Sequence, residues 1–382
     1  MNYQVNELLC FATTLVASLI LTRVAISVTR SFGWVDKPKA DRWSKTSASL
    51  FGGVAIVVAF FLSWIVQVLL PGNELMRHPE LIGLAVGGAA LFAVGLRDDA
   101  KPLNPLLKLV GQIASILPFI IGVGIQHPST TFLFLMPVML FWMLALSNSF
   151  NLLDNMDGLC AGTSVIVALS LTAFGALTGQ PLISLLSVMI GASCLGFLWY
   201  NYRVGKPALI FMGDCGSMFL GYMLSGLTIL AVYPANQISL LQGVSQVLPA
   251  LLLMALPLFD TTLVVIIRKK ERRAISQGGR DHSSHRLVYS GFSEKQAVAL
   301  LYGVSFVGGM AALALAKSAL PALNFFAIAL EIGLLARFGM KLSRFSSPPK
   351  MSHEASELQT LNAPIDKAMR SRVGSKSPSL DR

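Results

Sequence analysis

Charge is scarce in this sequence: Asp, Glu, Lys and Arg make up 13% of 382 residues, while 54% are hydrophobic and the mean hydropathy is +0.66. A soluble domain carries roughly a quarter charged residues, so the scarcity excludes one and points to an integral membrane protein. Cysteine is nearly absent. Cys10, Cys160, Cys194 and Cys215 are scattered in or beside apolar runs, which excludes a disulfide framework or a cysteine metal knuckle and leaves them as small apolar fillers. No internal repeat of the two-fold transporter kind recurs. The opening segment MNYQVNE lacks a basic residue and no small-residue cleavage pattern closes the apolar run after it, so that run is expected to be a retained span rather than a signal peptide.

What is present is a series of apolar runs near the roughly 20 residues that cross a bilayer. Eleven are expected, over 8–28, 51–70, 81–96, 109–126, 131–147, 159–178, 181–199, 216–233, 247–267, 298–316 and 320–336. The expected fold class is therefore all-α: a polytopic integral membrane protein of about 11 transmembrane helices over residues 1–344. A polar, Ser- and Pro-rich tail at 345–382 has too little apolar surface to fold alone and is expected to be disordered. If the spans alternate, 27 of the 30 Lys and Arg fall on one side. The positive-inside rule then sets the amino terminus outside and the carboxyl terminus in the cytoplasm. The net charge of +11 is explained by this topology, and no nucleic-acid partner is expected. The rule makes no demand on acids, yet Asp98, Asp99, Asp154, Asp157 and Asp214 all fall on the same side, at or near span ends.

Four stretches carry these residues. GLRDDAKPLNPLLKLVGQ holds adjacent Asp98 and Asp99, whose mutual repulsion is tolerated most readily where a cation or a proton uses the pair. Lys108, near the start of the next run, is placed to hold a phosphate; neutralising Arg97 and Lys101 in a solvated loop is the plainer reading of the acids. In NSFNLLDNMDGL, Asn148, Asn151, Asp154 and Asp157 recur every three residues, so on a helix they line one wall of a polar pocket. Their oxygens suit Mg²⁺, while helix capping and a turn at Gly158 account for one or two of them. Asp214 lies in GDCGS, between glycines that let a backbone approach a ligand and at the start of an apolar run, where an N-cap role is also open. RDHSSHR places His282, His285 and Arg286 in a basic loop, suited to phosphate contacts, with RKKERR before it suited equally to anionic lipid heads. Asp260, inside an apolar run, is either a partner of this site or paired with another helix.

The DD pair with its downstream Lys, the NxxNxxDxxDGL block, GDxGS, PLFDT and RDHxSHR, in this order over about residues 30 to 340, resemble the polyprenyl-phosphate N-acetylhexosamine-1-phosphate transferases. The resemblance is nearest the bacterial branch similar to UDP-N-acetylglucosamine:undecaprenyl-phosphate N-acetylglucosamine-1-phosphate transferase. The branch making the first peptidoglycan lipid intermediate carries three consecutive histidines in the late loop, which this sequence lacks. The resemblance implies a bacterial cytoplasmic-membrane enzyme whose cytoplasmic face binds a UDP-sugar and Mg²⁺ or Mn²⁺, transfers the sugar-1-phosphate to a polyprenyl phosphate and releases UMP. By motif, Asp98 matches the acid that deprotonates or orients the acceptor phosphate, with Asp99 beside it. Asn151 and Asp214 match metal-binding positions, and Asp154 and Asp157 match acids of the nucleotide and metal pocket. Lys108 matches a phosphate-contacting lysine, His282, His285 and Arg286 match the loop that closes on the diphosphate, and Asn148 completes the expected substrate-binding set. Two positions depart from the family pattern: Ser44 stands near a usual His, and Asn155 replaces the Gly of DGxDG, where Asn is expected to preserve a left-handed turn. Two other readings share some of these features: the same chemistry on another UDP-N-acetylhexosamine, and a transporter for an anionic solute. A transporter, however, should place ionisable groups near the bilayer midplane.

Overall fold

Apolar composition without strand alternation yields helices. The computed structural model describes residues 3–36, 48–70, 74–233, 240–274, 279–316 and 321–345, and within them the chain is almost wholly helical. In chain order the helices are α1 (Tyr3–Ser31), α2 (Gly52–Leu69), α3 (Pro79–Ala100), α4 (Pro105–Gln126), α5 (Thr130–Leu153), α6 (Leu159–Thr178), α7 (Pro181–Asn201) and α8 (Asp214–Val232). They continue as α9 (Leu240–Leu253), α10 (Ala255–Lys270), α11 (Ser283–Tyr289), α12 (Glu294–Leu315) and α13 (Pro321–Leu342). Ser44 and the expected tail, apart from Phe345, lie outside the described residues.

Among the described residues nine helices are long and apolar enough to cross a membrane, and α9 with α10 would make a tenth span. The eleventh expected run falls on α13. The 247–267 run is not one straight helix. Pro257 has no N–H to offer the carbonyl of Leu253 one turn earlier, and its ring crowds that carbonyl. The chain breaks at Met254, and the segments on either side differ in direction by 71°.

The most enclosed helix is α8, with 83% of its apolar stretch buried against 28% for α1. Its amino-terminal end is knitted to a two-stranded antiparallel sheet, β1 (Val35–Asp36) and β2 (Ala48–Ser49), in the register Val35 to Ser49. Ser49 N–H donates to Leu209 O (3.0 Å), Phe211 N–H to Ser49 O (2.8 Å), and Gly52 and Gly53 N–H to Phe211 and Met212 O (both 2.8 Å). Glycine makes that approach possible: a Cβ on Gly53 would stand 2.5 Å from the Gly216 Cα of α8, and one on Gly95 of α3 would stand 2.5 Å from the Cys215 Cα. Three helices thus meet backbone to backbone around residues 213–216.

Candidate active site

The DD pair ends α3 beside the start of α8, and its two acids have different surroundings. Asp99 caps α8: its carboxylate accepts from Asp214 N–H (2.8 Å) and Cys215 N–H (3.0 Å), satisfying two of the donors a helix start leaves open. Gly213, at φ 79°, brings the backbone against that carboxylate. Asp98 accepts from Leu103 N–H (2.6 Å) and from Lys108 Nζ (2.9 Å). Asn104 caps α4, accepting from Leu106 N–H (2.9 Å), so Lys108 stands in the first turn of that helix. The Lys108 ammonium also pairs with Asp214, bridging α3 and α8.

The expectation of four residues on one helical wall holds only in part, because α5 ends at Leu153. Asn148 and Asn151 are on its last turns, Asp154 is its C-cap, and Asp157 lies beyond it. Asn148 exchanges two hydrogen bonds with Gln112 of α4 (both 3.1 Å) and donates to Leu144 O, so its amide is engaged within the bundle. Asn151 Nδ2 donates to Ser217 Oγ (3.0 Å), which in turn donates to Gly213 O (3.0 Å), tying α5 to the start of α8. Asp154 is half-buried and faces Asp214 and Asp99; desolvation first, then those two charges, push its carboxyl up to about 7 against a hydrogen bond from Gly213 N–H.

Asp157 turns elsewhere, accepting from Ala208 N–H (3.1 Å). Burial raises its pKa, opposed by that N–H and by the charge of Lys295, whose ammonium lies 3.7 Å over the Tyr202 ring. Gly158 makes the turn at φ 81°, with its N–H on Asn201 Oδ1 (2.7 Å) and its carbonyl accepting from Tyr302 OH (2.6 Å). Asn155 was expected to take the left-handed conformation; it does not, since the only non-glycine residues at positive φ among those described are Phe51 and Arg272. Gly158 alone supplies the turn. Asn155 Nδ2 instead donates to Leu152 O (2.7 Å).

The histidine segment is fixed by two buried acids. Asp260 of α10 accepts from Ser283 N–H (2.7 Å) and Ser283 Oγ (2.6 Å), and its second oxygen meets His282 Nδ1 at 2.8 Å. This settles its partner as the late loop. Asp281 receives Arg268 through Nε and Nη2 (both 3.0 Å) and Arg273 Nη2 (2.7 Å). Burial works to raise Asp281, but the Arg268 hydrogen bonds and charge outweigh it and hold the carboxyl down at about 2. His282 and His285 are buried, edge to face, with ring centroids 5.6 Å apart. Burial, then the neighbouring His282, pushes His285 down to about 3, so it is neutral at physiological pH. Arg286, expected on substrate, is buried and donates to Asp281 O (3.0 Å) and Phe345 O (2.6 Å), clasping α11 to the end of α13.

The family model described as Glycosyl transferase family 4 matches residues 81–232. A Bacillus subtilis protein, "Probable undecaprenyl-phosphate N-acetylglucosaminyl 1-phosphate transferase", is 31% identical over 334 residues, covering 85% of this chain and 88% of that relative. The chain belongs to glycosyl transferase family 4. A second relative of this family member, "Decaprenyl-phosphate N-acetylglucosaminephosphotransferase" of Mycolicibacterium smegmatis, is 29% identical over 71% of the chain and 72% of its own length. A "Phospho-N-acetylmuramoyl-pentapeptide-transferase" of Picosynechococcus is 36% identical, but over 40% of the chain and 46% of its own length. The resemblance read from the motifs is borne out.

In this glycosyl transferase family 4 member, Asp98, Asp99, Lys108, Asn151, Asp154 and Asp214 are brought together, whereas Asp157 turns to Ala208, His282 and His285 pack together beside Asp260, and Arg286 turns to the end of α13. Among the described residues no three His, Cys, Asp or Glu side chains are grouped as a metal-holding set. The donor chemistry nevertheless fits a hard divalent cation. The groups are oxygens, Asp154 is pushed up to about 7 by desolvation and by the charges of Asp214 and Asp99, and the Lys108 ammonium already stands as a cation between Asp98 and Asp214. Sequence reasoning missed Gln112, Tyr302 and, as a hydrogen-bond partner of Asn151, Ser217, all inside apolar runs, and Asn201 at the end of α7. It also missed Asp281, whose signal was an acid directly before the histidines of a basic loop.

Proposed function

We propose that this protein transfers N-acetylglucosamine-1-phosphate from UDP-N-acetylglucosamine to undecaprenyl phosphate at the cytoplasmic face of a bacterial inner membrane, releasing UMP. The observation that carries the reading is the convergence of Asp98 and Asp214, from two separate connections, on Lys108, with Asp154 facing Asp214, in a chain that spans 88% of a relative named for this transfer. The phospho-N-acetylmuramoyl-pentapeptide relative matches over less than half of the chain, which favours the simpler N-acetylglucosamine donor. The amino terminus outside and carboxyl terminus inside follow from the distribution of Lys and Arg.

In the reaction an oxygen of the lipid phosphate attacks the β-phosphorus of the donor, the bond from that phosphorus to the bridging oxygen breaks, and UMP leaves with the electron pair. Several negative charges approach one another, so the site must supply positive charge and position. Lys108 supplies the first: its ammonium, drawn between Asp98 and Asp214, is poised to move onto a phosphate oxygen. Asp98 orients the acceptor through Lys108. It has little deprotonation to do, since a phosphate monoester with a second pKa of about 6 is already largely ionised near neutrality. Asp99 holds the start of α8 and so fixes Asp214. Asp154 and Asp157 shape the nucleotide-sugar wall, and His282, oriented by Asp260, faces the donor with neutral His285 beside it. Asn151 and Asp214 would hold Mg²⁺ or Mn²⁺, which when bound supplies charge neutralisation for the donor diphosphate.

The test is purified protein in detergent with undecaprenyl phosphate, Mg²⁺ and a panel of UDP-sugars, following UMP. Release with UDP-N-acetylglucosamine that requires the lipid phosphate is expected. Release with a different UDP-N-acetylhexosamine alone would reassign the donor, and none with any would overturn the reading.

A further inference from the structure

Asn155 lies between the two acids of the turn, in an ordinary backbone conformation, so the conformational freedom that favours Gly or Asn in turns is not the reason for its presence. Its side chain does something else. Nδ2 donates to Leu152 O (2.7 Å) at the end of α5, and Oδ1 accepts from Ser284 Oγ (2.6 Å), 129 residues away. Ser284 is fully buried, follows Ser283, which Asp260 holds, and precedes His285. The amide therefore joins the end of α5 to the first turn of α11. The other anchors of the histidine segment lead to α10, through Asp260 and Arg268, and to the end of α13, through Arg286. The Ser284 hydroxyl leads across to the wall that carries Asp154 and Asp157.

We propose that Asn155 and Ser284 form a latch that ties the acidic turn to the histidine segment and sets the affinity for the sugar nucleotide. This rests on the donor reading given above. With the latch made, His282 and His285 stand at a fixed separation from Asp154 and Asp157, and the pocket is organised before the donor arrives. With it broken, the donor must order the segment itself, which weakens binding without altering the groups that meet the reacting phosphorus. Both are positioning residues. The bond is part-buried and short, yet it is a single neutral hydrogen bond, so its loss is read as a change of about three- to tenfold.

The experiment uses the full chain in lipid nanodiscs, comparing wild type with Asn155→Gly, Ser284→Ala, the double variant and Ser284→Thr, which keeps the hydroxyl. In steady-state UMP release, each single variant is expected to raise the KM for UDP-N-acetylglucosamine by about three- to tenfold with kcat changed by less than about twofold. The double variant should be no worse than the worse single one, and Ser284→Thr should stay near wild type. Unchanged KM, a loss confined to kcat, or effects that multiply in the double variant would overturn the latch. Amide hydrogen exchange over 283–289 without substrate supplies a readout independent of turnover: faster exchange in both single variants is expected, and unchanged exchange overturns the latch. If wild type turns over no UDP-sugar, the donor reading fails, while exchange still decides whether Asn155 holds Ser284.

Discussion

Asp154 is a half-buried carboxyl whose neighbours oppose its ionisation. Its pKa is pushed from the ordinary carboxylate range up to about 7, by burial first and then by Asp214 and Asp99. A pKa raised on folding contributes stability that is complete below the unfolded value, near 4, and is lost as pH rises through about 7. In chelator-treated protein the melting temperature attributable to this group should therefore fall between pH 5 and pH 8. Asp154→Asn should flatten that slope, as measured by thermal shift across pH; an unchanged slope would contradict the assignment. Mg²⁺ should restore more stability to wild type at pH 8 than at pH 5, since the anionic form is what attracts it. Lys108 is the counterpart: its ammonium bridges Asp98 to Asp214. Lys108→Met, which nearly keeps length and loses charge, should lower kcat by about 100-fold with a smaller effect on the melting temperature, checked by steady-state UMP release. Of these roles, the sequence showed which acids to suspect but not which of two adjacent acids caps a helix. Asp98 and Asp99 are chemically identical, and only the arrival of α8 from 115 residues away separates them.

Between elements, the site depends on close backbone approach and on one buried ion pair. The Gly53–Gly216 contact leaves no space for a side chain, so Gly53→Val should push α2 from α8 and destabilise by about 1–3 kcal/mol, read from thermal unfolding in detergent. Arg268 and Asp281 are 2% and 1% exposed. Asp281→Asn leaves a buried guanidinium without its carboxylate and should destabilise by roughly 3–5 kcal/mol, with accelerated proteolysis in the loop after α10. The apolar runs were legible because a bilayer-length stretch of hydrophobic residues admits only a helix. The bend between α9 and α10 was not read, although Pro257 was its signal, because a proline in an apolar run ends some helices and merely kinks others. Three-residue spacing placed Asn148 and Asn151 on a helix correctly and failed beyond Leu153, where the chain turns and Asp157 points to Ala208.

For the molecule as a whole, the eleven apolar runs all fall on helices, and the acids scattered through the sequence from 98 to 281 gather at one end of the bundle or in the loop packed beside it. That gathering was legible from charge distribution, since Lys and Arg report the sidedness of each connection. The hydrogen bonds that hold Asn148 and the turn at Gly158 were not, because they come from Gln112, Asn201 and Tyr302 on helices whose own sequence reads as plain span. Orientation is checked by cysteine replacement: Lys101→Cys should resist a membrane-impermeant thiol reagent in intact cells, and Arg77→Cys, at the other end of α3, should react. The most direct test of the central claim is the fate of the β-phosphate. With UDP-N-acetylglucosamine labelled at the β-phosphorus and undecaprenyl phosphate as acceptor, the label should pass into the lipid fraction in step with UMP release. Label that stays with the nucleotide as UDP while sugar enters the lipid would contradict phosphosugar transfer.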